Sequence, residues 1–150
     1  MAEGEHQPRG FSGTLKEAVV GADVFIGVSA PNILDGSDIA AMNDGALVFA
    51  MANPDPEVDP AEALKHAAVV ATGRSDYPNQ INNVLAFPGI FRGLLDAEAT
   101  DVDESIMVAA ADAIASCIPE EDLHPGYVVP SVFDPEVAKK VAEAVAAVSR

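Results

Sequence analysis

Five amide side chains occupy positions where they could bind a small polar molecule. Asn79, Gln80, Asn82 and Asn83 fall within one short segment, and Asn53 follows an earlier apolar run. An amide offers one acceptor and two donors without net charge. Such groups can hold a carboxamide, a ribose, or the hydroxyl and carboxylate of a hydroxy acid. Because they are neutral, they do not shift the pKa of a nearby catalytic acid or base.

The Asn82–Asn83 pair has a second interpretation that its spacing fits equally well. The pair precedes an apolar helical run, so one asparagine can cap the helix while the other is solvated. The same position directs backbone N–H groups and the helix dipole toward an anion. The residues alone leave both interpretations open.

Other residues with reactive side chains lack the spacing of a metal site or a nucleophilic centre. Asp55, Glu57 and Asp59 resemble a metal loop, but the interleaved prolines and the capping position of Asp59 favour a turn. Cys117 lies on an apolar stripe, which predicts packing rather than nucleophilic catalysis. The chain has no G-x-G-x-x-G motif and no P-loop. The scattered histidines, none with metal-ligand spacing, are His6, His66 and His124.

Three apolar runs predict the strands that position these residues. They cover residues 24–28, 46–50 and 68–71, and each ends in polar or turn residues. Their lack of alternation predicts strands that are buried on both faces of a parallel sheet.

Helix signals lie between the predicted strands. Thr14 and Glu17 form a capping box, and Asp59 precedes a proline at the first helical position. Ser37 is the predicted cap of a shorter helix that runs through Met42. Alternating helices and strands predict a doubly wound α/β layer.

Two longer helices are predicted after the last strand, the second behind Asp134 and a proline. Their apolar stripes are Ile106, Ala110, Ile114 and Cys117, and Val137, Val141, Val145 and Val148. Ligands of open α/β sheets bind outside the carboxyl ends of the strands. We therefore expect the ligand-binding residues in segments 29–32, 52–57 and 72–76.

The composition predicts one soluble cytoplasmic domain. With 8 Lys and Arg against 24 Asp and Glu, the net charge is −16. Such a surface repels phosphate backbones and anionic headgroups, which argues against nucleic-acid and membrane partners. The single cysteine suits a reducing cytosol. The first residues lack the features of a signal peptide, and no apolar run approaches the roughly 20 residues of a membrane span.

Four sequence blocks resemble the C-terminal half of bacterial-type malic enzymes. "GADVFIGVSAPNIL", "VFAMANPDPE", "ATGRSDYPNQINNVLAFPGIFRG" and "VVPSVFDPEVA" occur in the family's order, from about Arg9 to the end of the chain. The Asn-Asn-x-x-x-Phe-Pro-Gly block is specific to that family. The resemblance implies a polar start over residues 1–10. Residues 11–150 would form the later half of a Rossmann-like NAD(P)-binding domain with its C-terminal helices.

The resemblance also implies a reaction and a set of site residues. Malic enzymes convert (S)-malate to pyruvate and CO₂ with NAD or NADP and with Mg²⁺ or Mn²⁺. The residues that match the family's ligand contacts are Val28, Ser29 and Ala30 for the dinucleotide, Asn53 and Asn83 for malate and the nicotinamide side of the cofactor, and Asn82 beside Asn83 for malate.

The family's proton-transfer tyrosine and lysine, metal-binding carboxylates and phosphate turn lie upstream of the resembling segment. Tyr77 and Lys65 lie in none of the family's catalytic motifs. We therefore expect no catalytic residue and no metal ligand in this chain, and no activity from it alone. The expected partners are a missing N-terminal half or further copies of the chain. One alternative is a truncated, non-catalytic product that acts as an assembly module through an exposed strand edge. Another is half of a different Rossmann-type dehydrogenase, which the family-specific block disfavours.

Overall fold

The computed structural model of the protein describes residues 10–149, so the expected polar start lies outside the described residues except for Gly10. The chain divides into two compact units, Met1–Val70 and Ala71–Arg150. Each unit has its own hydrophobic core. Within the described residues, no helix combines the length and the hydrophobicity that crossing a membrane requires.

Short helices and short parallel strands alternate in the first unit, as predicted. The elements are α1 (Leu15–Ala18), β1 (Val24–Gly27), α2 (Gly36–Ala40), β2 (Leu47–Ala50), α3 (Pro60–Ala63) and β3 (Val69–Thr72), the last of which continues into the second unit. β1 pairs in parallel with β2, and the strand order is β1-β2-β3. Gly27 pairs with Ala50 at the ends of their strands. The loops after β1 and β2 therefore leave the same edge of the sheet.

Side-chain caps fix where the first helices begin. The capping box of Thr14 and Glu17 is present at α1, with the Thr14 N–H donating to Glu17 Oε2 at 2.8 Å. The prediction for α2 was wrong in detail, because Asp35 and not Ser37 is its cap. Asp35 Oδ1 accepts from the Ser37 and Asp38 N–H groups at 2.9 and 3.2 Å, and Asp38 completes a second capping box. The cap lies two residues earlier than predicted, and the helix ends at Ala40.

The strands differ in how completely they are buried. β3 is buried on both faces, as predicted. β1 buries Phe25 and Gly27, whereas Val24 and Ile26 are 47% and 65% exposed. The prediction of two buried faces is therefore wrong for β1. Within the described residues, nothing packs closely over the face that carries Val24 and Ile26.

The core of the first unit lies on the other face of the sheet. Side chains of α2, α3 and the loops pack there against the strands, so that Val48 and Val58 are fully buried. Burial of one such side chain contributes about 1.5–3 kcal/mol to folding. The remaining members include Val19, Phe25, Leu34, Ile39, Met42, Ala46, Ala50, Ala63 and Val70.

The second unit is helical beyond the end of β3. It contains α4 (Phe87–Asp96), α5 (Glu104–Ala115) and α6 (Pro135–Val148), with short 3₁₀ helices over Asn83–Leu85 and Glu120–Asp122. α6 packs against both α4 and α5. The predicted apolar stripes of α5 and α6 face this core. Only at the end of α6 does the prediction differ, since Val148 is 42% exposed.

Two glycines let α4 approach α6 closely. A Cβ added at Gly89 would lie 2.5 Å from Val141 Cβ, and one at Gly93 would lie 2.5 Å from the Ala142 carbonyl oxygen. Neither position has room for a side chain. The glycine of the Phe-Pro-Gly block therefore permits helix packing.

Asn79 holds a distant loop of the second unit in place. Its side chain is buried, donates from Nδ2 to the Pro125 carbonyl at 2.8 Å and accepts at Oδ1 from the Val128 N–H at 2.8 Å. Its backbone has a φ of 57°, a left-handed conformation that asparagine tolerates better than most residues. This member of the amide cluster has a structural role.

Gly89→Ala is expected to destabilise the protein, although alanine is the better helix former by about 1 kcal/mol. The added methyl must push α4 away from α6, and such overpacking costs about 1–3 kcal/mol or more. We expect a net loss in the free energy of unfolding, measured by urea denaturation. Gly73→Ala is the control, because the nearest atom to its Cβ is the Ile81 carbonyl oxygen at 3.9 Å. Equal stability of the two variants would contradict the close helix contact.

Asn79→Asp is expected to lower the free energy of unfolding by about 1–3 kcal/mol, because the Pro125 carbonyl loses its donor and a carboxylate replaces a buried amide. The new carboxylate oxygen would face the Pro125 carbonyl instead of donating to it. Asn82→Asp is the matched control, since an exposed aspartate caps a helix as well as asparagine does. Comparison of the two urea midpoints tests the assignment, and a loss of similar size in both variants would contradict it.

Candidate functional site

The edge of the first unit where β1 and β2 end is formed by two loops that are bonded to each other. The Asn32 N–H donates to the Pro56 carbonyl and the Leu34 N–H to the Glu57 carbonyl, both at 3.0 Å. At the strand ends, the Met51 N–H donates to the Gly27 carbonyl at 2.9 Å. These bonds fix the loop after β1 against the loop after β2.

A buried carboxylate connects the same two loops a second time. Glu57 is fully buried; its Oε1 accepts from the Ser29 N–H at 2.8 Å and its Oε2 from the Ala52 N–H at 3.0 Å. Within residues 10–149 no Lys, Arg or His forms an ion pair with it. Because each oxygen accepts from an N–H, the geometry suits a carboxylate ion, and such charge-assisted bonds are stronger than neutral ones.

Gly27 makes room for this carboxylate. A Cβ at Gly27 would lie 2.4 Å from the carboxyl carbon of Glu57 and 2.5 Å from its Oε1. Any side chain at this strand position would therefore displace the group that holds the loops together.

The remaining acids of the Pro-Asp-Pro-Glu-Val-Asp-Pro segment support the prediction of a turn. Asp55 is exposed, and Asp59 caps α3 by accepting from the Ala61 and Glu62 N–H groups at 2.8 and 3.3 Å. Across the described residues, no group of three or more His, Cys, Asp or Glu side chains could hold a metal ion. The donors present therefore do not fit the Mg²⁺ or Mn²⁺ that the family resemblance implies.

The predicted ligand contacts of the first unit lie on the exposed side of these loops. Val28 is 77% exposed, and Ser29, Ala30 and Asn53 are exposed as well. The Asn53 side chain makes no hydrogen bond within residues 10–149, and the peptide bond that follows it is cis. Its donors and acceptor are directed to solvent.

The asparagine pair of the second unit divides into two roles. Asn82 Oδ1 accepts from the Val84 N–H at 3.0 Å, so this residue caps the 3₁₀ helix that precedes α4. Asn83 is exposed, and its side chain has no hydrogen-bond partner in the part of the chain that the structure describes. The capping interpretation is therefore confirmed for Asn82. Binding of a ligand by either residue stays a prediction.

The two arginines that flank the amide cluster are paired with aspartates. Arg74 donates from Nε and Nη2 to Asp76 at 2.8 and 2.6 Å and lies over the Tyr77 ring at 5.1 Å. Arg92 pairs with Asp96 one helical turn later. In each pair the guanidinium lowers the pKa of the aspartate below its usual value. The arginine charges are thus compensated within their own segments.

The other polar candidates have ordinary structural surroundings. Cys117 packs against the core, its Sγ donates to the Ala113 carbonyl at 3.3 Å, and burial raises the pKa of the thiol, all of which supports packing rather than nucleophilic catalysis. Lys65 forms an exposed ion pair at 2.7 Å with a glutamate three residues earlier. His124 Nδ1 accepts from a backbone N–H at 3.1 Å, and His6 lies outside the described residues.

The sequence around Glu57 predicts only a turn and does not predict the role of this residue at the edge of the sheet. The signal was present at another position. Gly27 interrupts an apolar strand, and a glycine there often marks a close approach by another group. The glycine does not identify Glu57 as the approaching group, because Glu57 lies far away in the sequence, 28 positions after Ser29.

Comparisons with known proteins agree over nearly the whole chain. Residues 4–150 match the family model described as malic enzyme, NAD binding domain. The NAD-dependent malic enzyme of Geobacillus stearothermophilus is 54% identical over 138 residues, which cover 92% of this chain and 29% of that protein. The NADP-dependent malic enzyme of Rhizobium meliloti is 44% identical over 149 residues, covering 89% of this chain and 20% of that protein.

Solved structures share the fold. The crystal structure of the NAD-dependent malic enzyme from Thermotoga maritima has a TM-score of 0.86 and 43% identity, over 93% of this chain and 36% of the other. That of the malic enzyme from Pyrococcus horikoshii has a TM-score of 0.81 and 48% identity, over 88% of this chain and 31% of the other. This chain thus spans between 20% and 36% of the length of these relatives. The predicted Rossmann-like α/β fold and the resemblance are confirmed: the chain belongs to the family of malic enzyme NAD-binding domains.

Proposed function

We propose that this chain supplies the later part of the NAD(P)-binding domain of an enzyme that converts (S)-malate to pyruvate and CO₂. The observation that carries the proposal is the family match over residues 4–150. The exposed amides of Asn53, in the predicted ligand-binding segment 52–57, and of Asn83, in the family-specific block, support it. Relatives that use NAD and relatives that use NADP both match, so either dinucleotide fits the proposal.

The proposed roles follow from what each side chain can donate. Val28, Ser29 and Ala30 form an exposed turn after β1 that contacts the dinucleotide. Asn53 presents its amide to malate and to the nicotinamide, and Asn83 donates to a carboxylate of malate. When bound, the nicotinamide accepts the hydride that malate C2 releases.

Asn82 makes a narrower contribution to the proposed site. Its Oδ1 already accepts from the Val84 N–H, so only its Nδ2 remains to donate to an anionic ligand. This geometry suits a residue that supports Asn83 at the malate carboxylate.

The proton-transfer groups and metal ligands of the reaction are proposed to come from another part of the complete enzyme. Tyr77 lies beside the paired Arg74, and Lys65 is held in its ion pair. The described residues also contain no metal-binding cluster. The chain is therefore proposed to act together with a polypeptide that supplies those groups.

We expect the purified 150-residue chain to produce no NADH or NADPH from malate. The described residues offer neither a positioned general base nor a metal site for the decarboxylation. The measurement is the absorbance of the reduced nicotinamide with malate, NAD or NADP, and Mg²⁺ or Mn²⁺ present. Turnover that scales with the chain and survives repurification would contradict this prediction.

The roles of the asparagines can be tested in a hybrid enzyme. Residues 10–149 would replace the matching segment of the Geobacillus stearothermophilus enzyme, and we expect the hybrid to oxidise malate. Asn83→Ala should raise KM for malate about tenfold to a hundredfold, the range for a lost hydrogen bond to a charged group. Asn83→Asp should raise it further by charge repulsion, and Asn53→Ala should lower kcat/KM.

The control for the hybrid is Asn43→Ala, which removes an exposed amide whose Nδ2 donates to Asp23 at 2.8 Å. This variant should keep the kinetic constants of the unsubstituted hybrid. An inactive hybrid that is folded would count against the proposed function. An active hybrid that is indifferent to Asn53 and Asn83 would refute the residue roles alone.

A further inference from the structure

Glu57 has a burial and a bonding pattern that its place in a turn does not require. It is one of very few buried polar side chains in the described chain, and its two oxygens accept from backbone groups of two different loops. Backbone bonds from the Asn32 N–H to the Pro56 carbonyl and from the Leu34 N–H to the Glu57 carbonyl already join the two loops. The carboxylate adds a connection between loops that the turn does not need.

The two donors lie in the two segments of the first unit that contain residues of the proposed site. Ser29 belongs to the turn assigned to the dinucleotide, and Ala52 directly precedes Asn53, which is assigned to malate and the nicotinamide. One side chain therefore sets the backbone of both segments. Since Ser29 directs its N–H inward to Glu57, the neighbouring Val28 and Ala30 are left on the exposed side of the loop.

Gly27 is independent support for this role. A Cβ at Gly27 would overlap the carboxyl carbon of Glu57. The absence of a side chain at this strand position therefore leaves the space that the carboxylate occupies. The position of the carboxylate thus depends on Gly27 as well as on Glu57, although the two residues are far apart in the sequence. Neither Gly27 nor Glu57 is itself exposed to a ligand.

We propose that Glu57 is a positioning residue that couples the dinucleotide-binding turn to the loop carrying Asn53. This inference rests on the proposed function for the identity of the ligands, but the coupling of the loops does not. Glu57 acts through Ser29 and Ala52 and touches neither substrate nor cofactor. Loss of the carboxylate should disturb both segments together, whereas a residue that merely stabilised one loop would affect that loop alone.

The coupling is tested in the 150-residue chain without ligand by NMR of backbone amides. In Glu57→Gln, one neutral acceptor oxygen and an NH₂ group that can only donate replace two charged acceptor oxygens, so the Ser29 and Ala52 amide protons should both move upfield. The signals of Val48 and Ile39 in the core should stay in place and report a folded chain. Glu62→Gln, which removes an exposed charge from α3, should move neither loop signal.

Two further variants keep the proposal testable if Glu57→Gln does not fold. Glu57→Asp keeps the charge but withdraws it by about one C–C bond, ~1.5 Å, which lengthens the bonds to both N–H groups. Gly27→Ala keeps Glu57 and displaces its carboxylate. Paired shifts of Ser29 and Ala52 in these variants support the coupling, and a shift of only one signal, or of neither, overturns it.

The consequence for binding is tested in the hybrid enzyme described above. A displacement of about 1 Å in positioned groups can cost up to a hundredfold in rate, so Glu57→Gln should raise KM for both NAD and malate, about tenfold or more. A purely structural role would lower the amount of active enzyme and leave both KM values unchanged, which would overturn the proposal. If the unsubstituted hybrid is inactive, the proposed function fails, and the coupling is decided by the NMR result alone.

Discussion

A buried carboxylate that accepts two backbone N–H groups is the interaction on which the sheet edge of the first unit depends. Removal of a carboxylate from water costs several kcal/mol, and Glu57 has no cationic partner in the part of the chain that the structure describes. Its charge-assisted bonds to Ser29 and Ala52 offset that cost only if both donors keep their positions. Moving either loop would break one of these bonds and is therefore energetically costly. The exposed residues beside Ser29 and Ala52 are restrained in the same way.

The amide cluster of the second unit shows how one residue type serves different physical needs. The buried Asn79 side chain bonds the Pro125 carbonyl and the Val128 N–H of a distant loop, and its backbone is left-handed. Asn82 uses only its oxygen, at a helix start. The Asn83 side chain makes no hydrogen bond within the described residues, and the residue is exposed. The family-specific pair is thus one structural asparagine followed by one available asparagine.

The sequence predicted most features that neighbouring residues determine, and it did not predict those that distant residues determine. The capping box of Thr14 and the cap of Asp59 satisfy N–H groups within three positions, so local pattern sufficed. The wrong cap at α2 is an exception, because its signal is local as well. Asp38 lies three positions after Asp35, and this capping-box spacing indicates that Asp35 is the cap. The bare face of β1 and the contact of Glu57 with Ser29 depend on what packs from elsewhere. The apolar side chain of Ile26 does not predict that its face of β1 is exposed, and the acidic side chain of Glu57 does not predict its contact with Ser29.

Negative charge is distributed so that one helix start stays suited to an anion. Aspartates cap most of the described helices: Asp35 caps α2, Asp59 α3, Asp103 α5 and Asp134 α6. At those starts the partial positive charge of the backbone is already matched by a carboxylate. The segment that leads into α4 is different, because its cap is the neutral Asn82 and no side chain caps α4 itself. Within residues 10–149, no carboxylate caps the backbone N–H groups there. In a chain of net charge −16, a dicarboxylate is repelled by most of the surface. For the proposed malate ligand, a neutral amide cap beside Asn83 would favour binding through hydrogen bonds rather than through opposite charge.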